Sequence, residues 1–278
     1  MTRVDPYQRR ATEPARFYLY RLNPLAKLAA VLPAMLGIVF TRDLLTPLIL
    51  LVAALLVLFT GARLRPRVRV GFLLGIPLAV ALIAFFLALW SDPARLAPSA
   101  TLFSAGPIQI SAASAAAGVA TGLRLCSILV LALTSGLTTD GPDLVRAAVT
   151  HLGVSYRIGY TALAAYRFAP RFNRELQQIR AAHRVRGIAT GHGPLSALRR
   201  AAGTVIPLLA GAIRHAERVA LAMDSRAFGA FDHRTERYPS PWNTRDTVYI
   251  VLLWLAAAIL FTWAVVSGVP AADTVVRR

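Results

Sequence analysis

The spacing of its apolar stretches constrains this chain more than any other feature of the sequence. Five stretches stand out, at 28–40, 44–59, 70–90, 108–137 and 248–269. A helix that crosses a bilayer needs about 20 apolar residues, within a range of roughly 17 to 25. The last three stretches reach that length and predict transmembrane helices. The first two are shorter and nearly adjacent, so they predict a helical hairpin that either crosses twice, the interpretation we prefer, or is partly embedded.

The composition agrees with a membrane environment. Of the 278 residues, 56% are hydrophobic and 16% are charged, whereas about a quarter of a soluble domain is charged. This apolar excess excludes an intrinsically disordered chain, and the single cysteine, Cys126, excludes a disulfide scaffold. The expected fold class is all-α: a polytopic membrane protein with about five transmembrane helices and a module of long amphipathic helices.

Basic residues set the expected orientation. A net charge of +18 would suggest nucleic acid binding in a soluble protein, but here the basic residues lie between apolar stretches, where they fix topology. Residues 1–27 carry six Lys or Arg and residues 61–70 carry four, against one each, Arg42 and Arg95, in the opposite connections. The sequence therefore predicts a multi-pass protein of the cell membrane with a cytoplasmic N-terminus and no nucleic acid partner.

A long polar segment follows the fourth apolar stretch. It is too long for a simple loop, so it predicts a structured cytoplasmic element. The expected division is a membrane domain at 1–138, a cytoplasmic helical element at 139–245, and a last transmembrane helix with its tail at 246–278.

Turn residues and helical periodicity divide the polar segment into three predicted helices. A short helix opens after the turn at Gly141 and Pro142 and stops at Gly153. Two long helices occupy about 155–186 and 195–228. Both long helices are amphipathic, and each contains a proline that is expected to bend it. Their apolar faces would lie along the membrane interface or pack on other helices.

The two long helices end alike, in Val185-Arg186-Gly187 and Ser225-Arg226-Ala227. Helix termination alone explains either end, because the helix dipole favours a terminal arginine and glycine favours the C-cap. The pair suggests more, since a guanidinium held at a helix end suits bidentate contact with carboxylates in a groove of a soluble partner. Two such ends could hold two partner subunits at once.

Four segments carry a resemblance to a known family. The entry Tyr20-Arg21-Leu22-Asn23-Pro24-Leu25-Ala26-Lys27 is similar to a Leu-Asp/Asn-Pro-x-x-Lys start, and Leu137-Thr138-Thr139 closes the fourth apolar stretch as in that family. Segments 166–187 and 214–226 resemble its coupling helices. Over nearly its whole length, the chain resembles the transmembrane T component of energy-coupling factor transporters, the ABC-type importers of vitamins and transition-metal ions.

The resemblance implies three partners: two ATP-binding subunits, identical or different, and a substrate-binding membrane S component. Family members end the coupling helices in two Ala-Arg-Gly motifs that dock into the ATPases, so Arg186 and Arg226 are the expected docking arginines. The flanking residues of the two motifs here are Val185, Gly187, Ser225 and Ala227. They depart from the family pattern at the first alanine and at both neighbours of the second arginine.

The sequence lacks the motifs of several catalytic classes. It contains no Gly-x-x-x-x-Gly-Lys-Ser/Thr phosphate loop and no His-Glu-x-x-His metal pattern. Few carboxylates fall inside the apolar stretches, which argues against an ion-coupled carrier. We therefore expect a non-catalytic subunit without cofactor or metal. There are two alternatives. A membrane-embedded enzyme would need an acidic cluster, and a secondary transporter would need an inverted repeat with charges at the membrane midplane.

Arg124 lies in the middle of the fourth apolar stretch. An arginine at bilayer depth is costly unless it pairs, snorkels or faces the protein interior. Two interpretations remain open: a contact between helices or with a partner subunit, or a position nearer the interface because the transmembrane helix starts later than residue 108.

Overall fold

The computed structural model describes residues 17–41, 43–90, 101–105, 108–187, 193–231 and 240–267. These residues form a 3-10 turn (Tyr18–Arg21), eight α-helices and one short β-hairpin. The helices are α1 (Pro24–Phe40), α2 (Leu45–Gly61), α3 (Pro66–Trp90), α4 (Ala112–Leu137), α5 (Gly141–His151), α6 (Tyr156–Val185), α7 (Pro194–Asp224) and α8 (Thr244–Val266). The predicted all-α class is confirmed.

Within the described residues, three helices are long and apolar enough to cross a membrane: α3 with 25 residues, α4 with 26 and α8 with 23. Helices α1 and α2 have 17 residues each, the lower limit for a crossing. The chain is thus a membrane protein. Arg42, Arg95 and residues 1–16, on which part of the orientation argument rests, lie outside the described residues.

The start of the fourth apolar stretch differs from the prediction. Residues Ile108–Ser111 form strand β2, which pairs antiparallel with β1 (Thr101–Ala105), and the helix begins only at Ala112. The cause is local: the Ser111 hydroxyl accepts from the backbone N–H of Ser114 at 3.1 Å, and the Ser114 hydroxyl accepts from the N–H of Ser111. This capping box fixes the start of α4.

The chain divides into two compact units. We call them the membrane unit (Met1–Asp140 and Pro241–Arg278) and the helical unit (Gly141–Ser240). The chain therefore passes between the units twice, once on leaving α4 and once before entering α8. The three-part division at 138 and 245 expected from the sequence stays a prediction.

Helix α4 is central to the membrane unit, where it contacts α1, α2 and α3. Its contact with α3 is close because of two glycines: a Cβ on Gly118 would lie 2.7 Å from the carbonyl oxygen of Ala84, and one on Gly122 would lie 3.1 Å from that of Val80. Small residues at such positions let transmembrane helices approach each other.

The helical unit consists of α5, α6 and α7. Helix α5 is followed by Gly153, whose φ of +67° marks the stop expected from the sequence. Helices α6 and α7 match the two predicted long helices, with Pro170 and Pro207 inside them. Helix α7 ends at Asp224, four residues before the predicted end, because the backbone turns at Ala227.

Candidate functional site: two arginine-bearing helix ends

The first arginine end, Val185 to Gly187, closes α6. Val185 is 90% exposed, and Arg186 and Gly187 are exposed as well. The backbone N–H of Arg186 donates to the carbonyl oxygen of Ala182 at 3.1 Å, and Gly187 has a φ of +69°. A residue in the left-handed region at this position is the common way for a helix to end.

The second arginine end, Ser225 to Ala227, closes α7 with a complete Schellman motif. The N–H of Phe228 donates to the carbonyl oxygen of Met223 at 3.0 Å, and that of Ala227 donates to Asp224 at 2.9 Å. Ala227 has a φ of +55° and is the one residue other than glycine with a positive φ among the described residues. The two ends therefore share an arginine placed directly before a left-handed residue, which is Gly187 in the first and Ala227 in the second.

Contacts from the start of α6 hold the turn that follows the second arginine end. The Tyr156 hydroxyl donates to the carbonyl oxygen of Phe231 at 2.5 Å, and Arg157 Nη2 donates to that of Gly229 at 2.6 Å. The Tyr156 ring also meets the Phe228 ring edge to face, with centroids 5.8 Å apart. The turn after the second arginine end is thus held against the start of α6.

The two arginine ends lie at opposite ends of the pair formed by α6 and α7. The helices run antiparallel: Phe168 of α6 meets His215 of α7 edge to face with ring centroids 4.4 Å apart, and His183 lies beside Gly203. Because the second arginine end is fastened to the start of α6 and the first closes it, the length of α6 separates them. Its 30 residues correspond to about 45 Å of helix.

A basic cavity of about 1080 Å³ adjoins the first arginine end, between α6 and α7. It is lined by the arginines Arg180, Arg184, Arg199 and Arg200, by His183, and by small or apolar side chains. The sequence has no Asp or Glu between Glu175 and Glu217. This end of the helical unit is therefore suited to an acidic surface.

Arg124 contacts another helix of the same chain. Its Nη2 donates to the carbonyl oxygen of Thr41, the C-cap of α1, where the helix dipole favours a positive charge. The structure thus places this arginine at the tip of the α1–α2 hairpin. This is a contact between helices, and α4 also begins later than residue 108, at Ala112, so both interpretations stay predictions.

The histidines do not form a metal site in the part of the chain that is described, where no group of three or more metal-binding side chains occurs. His151 Nε2 hydrogen-bonds the Ser240 carbonyl oxygen at 2.8 Å, and His215 packs on Phe168. His192 and His233 lie outside the described residues.

Sequence reasoning missed a contact between two of the segments that carry the family resemblance. Lys27 Nζ donates to the carbonyl oxygen of Thr138 at 2.6 Å and reaches its hydroxyl at 3.3 Å. Lys27 is 2% exposed and is the only lysine of the chain. A lone lysine at the edge of an apolar stretch, with two threonines at the far end of another, was the available indication.

A second missed contact joins α1 to α8. The backbone N–H of Asn23 donates to Asp246 Oδ1 at 2.6 Å, and Asp246 Oδ2 accepts from the N–H of Asn243 at 2.8 Å. Asp246 is 1% exposed. The spacing Asn243-x-x-Asp246 is typical of a helix N-terminus, but nothing in the sequence pairs it with Asn23.

Comparisons with known proteins agree with this architecture. The model of the family described as cobalt transport protein (CbiQ) matches residues 15–237. The energy-coupling factor transporter transmembrane protein EcfT of Streptococcus equi is 25% identical over 260 residues, covering 89% of this chain and 93% of that protein. The EcfT of Bacillus selenitireducens is 28% identical over 257 residues, with the same coverage of 89% and 93%.

One further relative has a different name. A putative ABC transporter ATP-binding protein of Bifidobacterium longum is 25% identical over 265 residues, which cover 91% of this chain but only 32% of that protein. The family match spans well over half of the chain and includes both arginine ends. The chain therefore belongs to the cobalt transport protein (CbiQ) family and is a transmembrane T component of the energy-coupling factor type.

Proposed function

We propose that this chain is the coupling subunit of an energy-coupling factor importer, in which two ATP-binding subunits dock at Arg186 and Arg226. ATP-driven motion of those subunits would move α6 and α7. These helices would in turn act on a substrate-binding membrane S component that carries a vitamin or a transition-metal ion. The chain itself would take no part in catalysis.

The observation that carries this proposal is the matching geometry of the two arginine ends. Each presents an exposed arginine directly before a left-handed residue, Gly187 or Ala227. About 45 Å of helix separates them, enough for each end to reach a different subunit. An arginine held this way can form paired hydrogen bonds with a carboxylate in a groove.

The Bifidobacterium longum relative supports association with an ATPase. Its name is that of an ATP-binding protein, and a region similar to this chain makes up about a third of it. When an ATP-binding protein and a region similar to this chain share one polypeptide, the corresponding separate chains are expected to assemble with each other. The basic cavity beside Arg186 supplies charge complementarity for an acidic partner surface.

The proposed orientation places the helical unit in the cytoplasm, where ATP-binding subunits reside. The four arginines of residues 61–70 support it, because basic connections remain on the cytoplasmic side. The same orientation puts the β-hairpin that precedes α4 on the outer face of the cell membrane.

Co-purification from membranes tests the docking sites. We expect the wild type to retain two ATP-binding subunits and the double variant Arg186→Glu, Arg226→Glu to lose them. Each reversed charge should weaken binding at least about thirtyfold, the usual cost of disrupting a close charge pair at an interface. Each single variant should lose one contact and retain the subunits weakly.

The matched control is Arg171→Glu, Arg174→Glu, which reverses two exposed arginines in the middle of α6. It makes the same change in net charge away from both helix ends. If the control releases the ATPases as readily as the double variant, general electrostatics hold the complex and the two ends are helix caps. Absence of ATPases from the wild type would overturn the coupling function.

A further inference from the structure

We infer that the first turn of α1, from Asn23 to Lys27, transmits movement of the helical unit to the membrane unit. The inference rests on the proposed coupling function and names the residues that would perform it. It starts from the chain path, since the polypeptide leaves the membrane unit after Asp140 and returns at Pro241. In the proposed cycle, movement of the helical unit would act on the membrane unit through these two connections.

The outgoing connection is fastened by Lys27. Its ammonium group donates to Thr138, two residues before the membrane unit ends, at 2.6 Å to the carbonyl oxygen. The Ser135 hydroxyl donates a hydrogen bond to the Lys27 carbonyl oxygen at 3.2 Å. A cation at the carboxyl end of α4 also interacts favourably with the helix dipole. The ammonium group is buried, so losing this contact would weaken the compensation of a charge that is shielded from solvent.

The returning connection is fastened by the N-cap of α1. The carboxylate of Asp246 accepts from the backbone of Asn23 with one oxygen and from that of Asn243 with the other. It therefore joins the start of α8 to the start of α1. Hydrogen bonds to a buried carboxylate are among the strong ones in proteins.

The contacts of Lys27 with Thr138 and of Asn23 with Asp246 are made by the same helical turn. Lys27 N donates to the Asn23 carbonyl oxygen at 3.2 Å, and the Asn23 side chain accepts from Leu25 at 3.0 Å, so the turn is itself capped. Helix α1 packs along both α4 and α8. A pull on either connection thus acts on α1 through short, buried, charge-assisted bonds, and α1 acts as a positioning element for the membrane unit.

Nucleotide-dependent hydrogen exchange on the complex with its ATPases, in nanodiscs, tests this inference. The wild type, compared with ADP and with a non-hydrolysable ATP analogue, should show a difference in deuterium uptake in both units. In Lys27→Met the difference should persist in peptides of α5 to α7 and be lost in those of α1. Lys27→Arg, which keeps a donor and the charge, should restore it.

Arg124→Met is the matched control, because Arg124 also donates from a half-buried side chain to a backbone carbonyl oxygen, that of Thr41 at the other end of α1. It should lower stability yet leave the nucleotide-dependent difference in α1. Should Lys27→Met yield no folded complex, Asp246→Asn decides, since it weakens the returning fastening alone.

The outcomes distinguish failure of the inference from failure of the proposed function. A difference in α1 that survives in Lys27→Met, or in Asp246→Asn where that variant decides, overturns the inference, as does its equal loss in Arg124→Met. A wild type that holds no ATPases overturns the proposed function instead.

Discussion

The backbone N–H of Phe228 reaches back to the carbonyl oxygen of Met223 at 3.0 Å, and Ala227 between them takes the left-handed conformation. For an L-residue with a Cβ this conformation costs roughly 1–2 kcal/mol, a cost that glycine does not have. The Schellman bonds and the contacts of Tyr156 and Arg157 with the following turn maintain it. The second arginine end is therefore strained where the first is relaxed.

Replacing Ala227 with glycine should relieve that strain. We expect Ala227→Gly to stabilise the turn by up to about 1 kcal/mol, since part of the gain is lost to the greater freedom of glycine in the unfolded chain. Amide exchange at Phe228 should slow by up to roughly fivefold. The reverse change, Gly187→Ala, should speed exchange at the first arginine end, and faster exchange in Ala227→Gly would contradict the prediction.

Removing the Tyr156 hydroxyl should loosen the base of the second arginine end. Tyr156→Phe keeps the ring against Phe228 but loses the bond to the Phe231 carbonyl oxygen, at a cost of about 0.5–1.5 kcal/mol. Hydrogen exchange over residues 225–231 should rise while that of residues 182–187 stays as in the wild type. Equal changes at both ends would show that the hydroxyl supports the helix pair as a whole.

Closing the gap between α3 and α4 with one methyl group should destabilise the membrane unit. In Gly118→Ala the new Cβ would lie 2.7 Å from the Ala84 carbonyl oxygen, so the helices must separate, at a cost of about 1–3 kcal/mol. Thermal stability in detergent, followed by size-exclusion chromatography after heating, measures the loss. Gly75→Ala in α3, where a Cβ meets nothing within 4 Å, is the control and should cost nothing.

Arg124→Met should destabilise the α1–α2 hairpin. The Thr41 carbonyl oxygen would lose a charged donor, and hydrogen bonds to charged groups contribute about 1.5–3 kcal/mol. The same heating assay should show a lower midpoint for this variant. Arg124→Lys keeps the charge but replaces the guanidinium with a single ammonium group, so its midpoint should lie between those of Arg124→Met and the wild type. A midpoint unchanged in Arg124→Met would mean that the contact adds nothing to stability.

Local patterns were sufficient to predict the long helices of the fold. The bounds of α6 agree with the sequence within about a residue, because periodicity, Ser155 before its start and Gly187 after its end all indicate the same limits. The end of α7 was placed too far along the chain, because alanine rarely takes the left-handed conformation that ends this helix at Ala227. The strand at Ile108–Ser111 was missed because its apolar residues merge with those of α4.

The contacts that organise the membrane unit were beyond local patterns. Lys27 and Thr138 are 111 residues apart, and Asn23 and Asp246 are 223 apart. No spacing rule relates such pairs. The family resemblance had marked the segments of Lys27 and Thr138 separately, and the structure shows one reason for both: each supplies one side of the same buried contact.

Burial of Lys27 has a practical consequence for anyone who labels this protein. All other members of the Lys and Arg set are arginines, so Lys27 carries the only side-chain amine in the chain. It is shielded from solvent while it holds Thr138. Amine-reactive esters can therefore modify this amine only when α1 and the end of α4 come apart. The unmodified protein carries a built-in chemical reporter of that event, with no engineered label needed.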